Sequence, residues 1–338
     1  MCVQKATGVV TVLALALGVS ILSCDIFRRP DRAHLFPVVR EYGTTQELWG
    51  YINQEGQLAI GFQFKSVHDF SEDVAAVRSA GESTGYIDRN GTWVIAPTYF
   101  DAYGFHEGRA IVWSYDGGYG AIDRSGRLIV PLEHRDLSNY SCGRAPYRGS
   151  SGWGYLALDG SIAIPADPRF QHAFTFSEGL ARVVDAQYRN AVIDTTGALV
   201  IPFGRGSAGP FSESLAVFQD SGTLLCGYID RTGAIAIAAQ FERCGDFSEG
   251  VAAVMTSDGY GYIDHSGAWA ITPRFEWAGE FSEGLAQFLV DTLSGYIDHA
   301  GNTRIEPKYA YGGQFHEGLA PVEGFNYIDT LGRYVWRQ

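Results

Sequence analysis

Cysteine is scarce in this chain of 338 residues: five in all, with no Cys-x-x-Cys pair and no Cys-x-x-Cys…His-x-x-x-His spacing. A structural zinc site needs such clustered ligands, so none is expected. Basic residues are outnumbered, 25 Lys and Arg against 38 Asp and Glu, for a formal charge of −13. Nucleic-acid binding draws on clustered Lys and Arg, which argues against a nucleic-acid partner. Helical periodicity is missing beyond the N-terminal stretch. No Gly-x-Ser-x-Gly, phosphate loop or dinucleotide fingerprint stands in a strand-to-helix context, and no Asp-x-Asp-x-Asp-Gly calcium loop is present. No cofactor is expected.

What the chain has is repetition. The stretch Phe247–Phe275 holds three short apolar runs, Val251–Val254, Gly261–Asp264 and Ala268–Thr272, separated by turn signals. A turn glycine recurs at Gly56, Gly91, Gly126, Gly160, Gly197, Gly233, Gly267, Gly301 and Gly332, in steps of 31 to 37 residues. Apolar residues follow eight of the nine glycines at both two and four positions, as in Ile235 and Ile237, with Thr303 the exception, and this is the spacing of one strand face. Asp88, Asp123, Asp194, Asp230, Asp264, Asp298 and Asp329 stand three residues before their glycines. They read as formers of a type I turn whose glycine takes the left-handed conformation. A second signature, Phe-(Ser/His)-Glu-Gly-(Leu/Val)-Ala, leads into each first run, as at Phe176–Ala181 and Phe281–Ala286, and its phenylalanine is expected to plug neighbouring units together.

One such unit cannot bury its own apolar face, so the copies must stack. The expected fold over residues 35–338 is all-β: about nine three-stranded antiparallel meanders of ~35 residues each. An open superhelix is favoured over a closed propeller-like toroid, because the chain starts on a first strand and stops on a third, so no unit is shared between the ends. The least regular part is Pro131–Pro168, where Asp-Leu-Ser-Asn-Tyr-Ser-Cys-Gly-Arg replaces the phenylalanine signature. Asn190-Ala191 and Phe203–Pro210 also depart from the pattern.

The combination Trp-Gly-Tyr-Ile-(Asp/Asn)…Gly…Ile-x-Pro…Phe-Ser-Glu-Gly-Leu-Ala resembles the bacterial WG-repeat (KWG-repeat) family. Literal Trp-Gly stands only at Trp49-Gly50 and Trp153-Gly154; elsewhere the slot reads Thr84-Gly85, Tyr119-Gly120, Cys226-Gly227, Tyr260-Gly261 or Ser294-Gly295. The resemblance implies tandem β units that serve as an interaction surface, often in secreted or envelope proteins, and it brings no catalytic residues.

Residues 1–23 read as a signal peptide: Lys5, then an apolar run too short to span a bilayer comfortably. Ile21-Leu22-Ser23-Cys24 looks like a lipobox, which makes Cys24 the expected lipidation site and residues 24–34 a lipidated tether. The expected location is the bacterial cell envelope, held to a membrane through that lipid. Cys226 and Cys244 lie in one unit and would bridge if their strands bring them together in an oxidising compartment.

Glutamates such as Glu178, Glu249, Glu283 and Glu317 recur once per unit, whereas a catalytic carboxylate pair should be singular. They read as loop residues that cap backbone amides. His265 and His299 follow turn aspartates in adjacent units; a two-ligand metal site is conceivable there, but solvent-facing turn positions are the expectation. Trp49, Tyr119, Trp153 and Tyr260 begin second strands, and Trp93, Trp269 and Trp277 stand on or just after third strands; those at fixed repeat positions are expected to stack between units, and the alternative is that the exposed rings line a ligand groove. The sequence therefore points to a non-enzymatic envelope lipoprotein binding a protein or a glycan. An envelope hydrolase with its site near residues 135–153, or a spacer, are the alternatives.

Overall fold

The computed structural model describes residues 34–204 and 207–338. Residues 1–33, with the expected signal peptide, Cys24 and most of the tether, lie outside the described residues. The described chain folds into nine small antiparallel sheets in sequence order. These are numbered here as blades 1 to 9: residues 36–64, 66–99, 101–134, 144–167, 172–201, 207–241, 243–275, 277–309 and 319–336.

Six of the sheets have four strands, one more than the sequence suggested. The additional strand is short, and it includes or directly precedes the phenylalanine signature. Ser248 and Val251 exchange both backbone hydrogen bonds, so Ser-Glu-Gly-Val is a two-residue hairpin rather than a lead-in loop. Both central residues have positive φ, 53° at Glu249 and 86° at Gly250, as a type I′ turn requires. Glutamate holds this left-handed position in seven blades and Cys142 holds it in blade 4. The expected irregularity of residues 135–143 is therefore confined to side chains. Ser141–Arg144 closes the same hairpin, and Leu137 bridges Tyr147 where the short strand lies elsewhere.

The second turn is built on Asp-x-x-Gly. Asp88 Oδ1 accepts from the amides of Asn90 and Thr92 at 2.9 Å each, and Gly91 donates to the Asp88 carbonyl at 2.9 Å with φ of 80°. A Cβ on Gly91 would also stand 3.1 Å from Ile60 of the preceding blade. The turn is thus both a local reversal and part of the contact between blades.

The hydrophobic core lies between units. Nine clusters of buried side chains each straddle two consecutive blades. One joins Tyr51, Ile60 and Phe64 of blade 1 to Phe70, Ala75 and Val77 of blade 2. The ninth joins Phe36, Val38 and Ile52 of blade 1 to Leu319 and Tyr327 of blade 9. The array is therefore a closed nine-bladed propeller, which corrects the expectation of an open superhelix.

Closure needs no shared strand because each blade meets the next through its faces. At the seam Tyr327 donates to the Pro37 carbonyl at 3.0 Å, Gln54 donates to the Glu317 carbonyl at 2.7 Å, and Trp49 packs edge-on to Phe325. Complete units at both ends are thus compatible with a ring. The same lateral packing that joins neighbours inside the chain also joins its ends.

Candidate functional site

The strand order gives the ring two unlike faces. The Ser-Glu-Gly hairpins and the Asp-x-x-Gly turns share one end of every blade. The hairpins between first and second strands share the other.

On the first face the repeated carboxylates are spent on structure. Six of the seven motif glutamates, all but Glu317, reach the same motif one blade on: Glu107 accepts from the Gly143 amide at 2.8 Å, Glu249 from Gly284 at 3.0 Å and Glu283 from Gly318 at 2.8 Å. The residue after the turn aspartate then closes over several of these glutamates. Arg124 meets Glu72 at 2.6 Å, Arg231 meets Glu178 at 3.0 Å, His265 meets Glu213 at 3.0 Å and His299 meets Glu249 at 2.9 Å. The histidine rings also stack on the plug phenylalanines, His265 on Phe247 and His299 on Phe281, with centroids 4.4 and 3.9 Å apart. Both histidines are exposed turn residues, as expected, with side chains 44% and 41% exposed, and each also makes a contact between blades. Each serves its own interface, and among the described residues no group of three His, Cys, Asp or Glu is arranged to hold a metal.

The turn aspartates are held locally. Hydrogen bonding from the Ser125 hydroxyl, joined by bonds from Arg127 and the turn amides, outweighs the opposing desolvation and lowers the Asp123 carboxyl to about 2. Asp194, Asp230, Asp264 and Asp298 each accept a turn amide in the same way. Gly126, Gly197, Gly233, Gly267 and Gly301 all have positive φ.

The opposite face carries clefts between blades. One, of about 280 Å³ between blades 3 and 4, is lined by Tyr103, Tyr119 and Trp153 with Asp136, Ser138 and Asn139. The Trp153 indole N–H is buried and finds no hydrogen-bond partner among the described residues. Burial, with Tyr119 next in effect, raises the Tyr103 phenol above its ordinary range. A second cleft, of about 590 Å³ across blades 6 to 8 and the lead into blade 9, is lined by Tyr260 and Trp277 with Gln219, Gln287, Gln314 and Glu280. A third, of about 390 Å³ between blades 5 and 6, is mainly apolar and includes Val192, Ile201 and Phe218.

Four of the aromatics singled out in the sequence therefore pair off, Tyr119 with Trp153 and Tyr260 with Trp277. Trp49 lines none of these clefts; its indole donates to Glu47 at 2.9 Å and its ring meets Phe325. Tyr260 is 9% exposed, so it is a cleft wall rather than an exposed ring. Trp93 and Trp269 stack edge-on against Phe64 and Phe241 of the preceding blades, both at 6.0 Å. Cys226 and Cys244 form a disulfide with Cα atoms 6.1 Å apart, and both line the larger cleft.

The smaller clefts have a cause that the sequence did not announce. In seven blades the second strand carries a buried tyrosine whose hydroxyl donates to a carbonyl of the next blade, Tyr327 at the seam being one of them. Tyr51, Tyr86, Tyr155, Tyr228, Tyr262 and Tyr296 do so at 2.6 to 2.9 Å. In blades 3 and 5 that slot holds Ala121 and Val192. Val192 lines the third cleft, and Ile111, the strand partner of Ala121, lines the first. A smaller residue in an otherwise uniform position opens space on that side of the ring. The missing tyrosines were visible as departures from the repeat, but their significance depends on knowing that the slot faces the next blade.

The profile described as "WG containing repeat" matches eight segments: residues 49–81, 85–112, 119–148, 153–185, 192–223, 227–259, 260–291 and 295–323. The chain belongs to the WG-repeat family. The WG-repeat segments cover most of the ring, whose nine blades exceed the eight matched segments by one. No curated protein matches the chain. Among solved structures, it is similar to the computationally designed Ika8 protein at 10% identity, with a TM-score of 0.43 over 82% of this chain and 97% of that one. It is similar to BamB from Moraxella catarrhalis at 14% identity, with a TM-score of 0.45 over 79% and 91% of the two chains.

Proposed function

We propose that this WG-repeat ring is a non-catalytic protein of the bacterial cell envelope, anchored by lipid on Cys24, whose cleft-bearing face binds a protein or a glycan. The observation that carries the reading is the division of labour between the faces. The repeated carboxylates of one face are engaged in turns and contacts between blades, while aromatic side chains of the other gather in clefts. A glycoside hydrolase needs two carboxyl groups across its substrate. The cleft beside residues 135–153 presents Asp136 as its lining carboxylate, which favours binding over turnover.

The test compares the purified chain with its Tyr119→Ala/Trp153→Ala and Trp277→Ala variants for retention of envelope components. Loss of retention in either variant, with the fold intact, supports the reading. New reducing ends released from cell-wall glycans would overturn it in favour of a hydrolase. Radiolabelled palmitate incorporated by the native chain but not by Cys24→Ala tests the anchor.

A further inference from the structure

The cleft across blades 6 to 8 differs from the others in how its aromatic platform is supported. Trp277 opens the short strand of blade 8 and remains 38% exposed. Its indole lies against the backbone of Gly279, where a Cβ would stand 3.0 Å from Cη2 and 3.3 Å from Cζ3. Glycine at position 279 therefore lets the ring rest on the main chain. Tyr260 from blade 7 walls the same space.

Around the platform stand three glutamines from three blades. Gln219 donates through Nε2 to the Leu224 carbonyl at 2.9 Å, Gln287 to Ser294 Oγ at 2.8 Å and Gln314 to Glu280 Oε2 at 3.4 Å. One bond fixes each amide, so its carbonyl oxygen is presented at a defined place. An amide both donates and accepts, which matches a ligand whose hydroxyls do the same. The electrostatics disfavour an anionic ligand: Glu242 and Glu280 line the cleft beside a single arginine, Arg243. Burial, followed by Glu280, holds the carboxyl of Asp246, the residue after the lining Gly245, above its usual range. The cleft volume of about 590 Å³ falls within the ~300–1,000 Å³ typical of small-ligand sites.

We infer that this cleft is a subsite for a neutral oligosaccharide, with the apolar face of one pyranose ring on Trp277 and its hydroxyls met by Gln219, Gln287 and Gln314. The inference deepens the proposed function and rests on it. A proline-rich peptide would also use an aromatic surface, but its recognition relies on a groove of several aromatic ridges rather than one indole ringed by amides.

The experiment titrates the purified chain with cellotetraose, maltotetraose and chitotetraose, following tryptophan fluorescence and heat. At least one tetrasaccharide is expected to bind with a Kd below about 1 mM. Trp277→Ala should weaken it by about tenfold or more, the scale of one lost aromatic stack. Gly279→Ala should weaken it as well, because the new Cβ lifts the indole, and Gln287→Leu should do so without touching the platform. Trp93→Phe, whose ring lies outside all three clefts against Phe64, should leave the affinity unchanged. Thermal melts of each variant identify any loss that is merely unfolding.

The inference is overturned if no tetrasaccharide binds, if Trp277→Ala and Gln287→Leu bind as the native chain does, or if a proline-rich peptide competes for the cleft. Retention of an envelope component that depends on Tyr119 and Trp153, without saccharide binding, would sink the inference and leave the proposed function standing. Failure of both assays would sink both.

Discussion

Tyr228 donates its hydroxyl to the Gly245 carbonyl at 2.8 Å and sets its ring edge-on to Phe247, with centroids 4.9 Å apart. The same centroid distance recurs at Tyr51–Phe70, Tyr86–Phe105, Tyr155–Phe176, Tyr262–Phe281 and Tyr296–Phe315. The pair ties one blade to the next by apolar burial and by a bond that only a phenol can supply. Tyr228→Phe retains the ring and leaves a carbonyl unmet, at a cost of about 1–3 kcal/mol. Tyr228→Ala also empties the interface and should cost about 3–5 kcal/mol, as for other large aromatic truncations. Urea unfolding of the two variants would check both the order and the gap between them.

Gly227 is predicted to resist replacement even by alanine. A Cβ there would stand 2.4 Å from the Ile237 carbonyl oxygen, and Gly50, Gly85, Gly154 and Gly261 show the same approach at 2.5 to 2.6 Å. At this point the second and third strands shift register through a bulge. The two blades without this glycine, with Ala191 and Asn326 in its place, have third strands of three residues, Leu199–Ile201 and Tyr334–Trp336. Every other third strand has six or seven. Gly227→Ala should destabilise by about 1–3 kcal/mol through overpacking. It should also strip hydrogen-exchange protection from the strand beyond Ile237. Unchanged protection there would remove the steric explanation.

The seam between first and last blades should respond to acid. His34 packs edge-on to His316 with centroids 4.7 Å apart. Burial, followed by His316 and then Arg89, lowers the His34 imidazole from 6.5 to about 4, with Asp69 acting in the opposite direction. The unfolded chain therefore takes up a proton near pH 6.5 that the ring refuses until about pH 4. The contribution of His34 is fully present above about pH 6.5 and declines as pH falls towards 4. The whole window is worth at most about 3 kcal/mol. Melting temperatures of the native chain and His34→Asn, measured between pH 7 and 4, should diverge over this interval. Parallel curves would show that the imidazole does not report on the seam.

Reduction of Cys226–Cys244 should soften blades 6 and 7. The bond joins residues 18 apart in sequence. A loop of that size is worth about 3 kcal/mol when closed, chiefly through the unfolded chain. Calorimetry with and without reductant should show a lower transition for the native chain, and Cys226→Ser/Cys244→Ser should already melt low without reductant. A reductant effect as large in the double variant as in the native chain would place the sensitive bond elsewhere.

Much of the ring was legible because it is written nine times. The period of Gly56, Gly91 and Gly126 and the alternation after each glycine mark strand and turn without tertiary knowledge. The short strand was hidden because two residues, such as Arg243 and Cys244, carry no alternation to detect. Its hairpin was hidden because glutamate is an unusual occupant of a left-handed position. Glu249 accepts that conformation in a turn where its carboxylate reaches Gly284 one blade away. Closure was misjudged because strand sharing leaves a sequence signature, whereas a seam made of Tyr327 on Pro37 and Trp49 on Phe325 leaves none. Of the site, the aromatics stood out by residue type. The amides of Gln219, Gln287 and Gln314 were indistinguishable from ordinary surface residues until three blades brought them together.

The ninth core, between Phe36 and Tyr327, fixes the arithmetic of the molecule. Each unit must turn the chain by about 40° for the circle to meet, in a family of architectures that usually stops at about eight blades. An open array would tolerate gain or loss of a unit at its tip. Here, removing one would oblige the remaining eight to widen every wedge together or leave a gap. The copy number is therefore a property of all the interfaces at once, and the repeats are free to diverge in residue but not in angle.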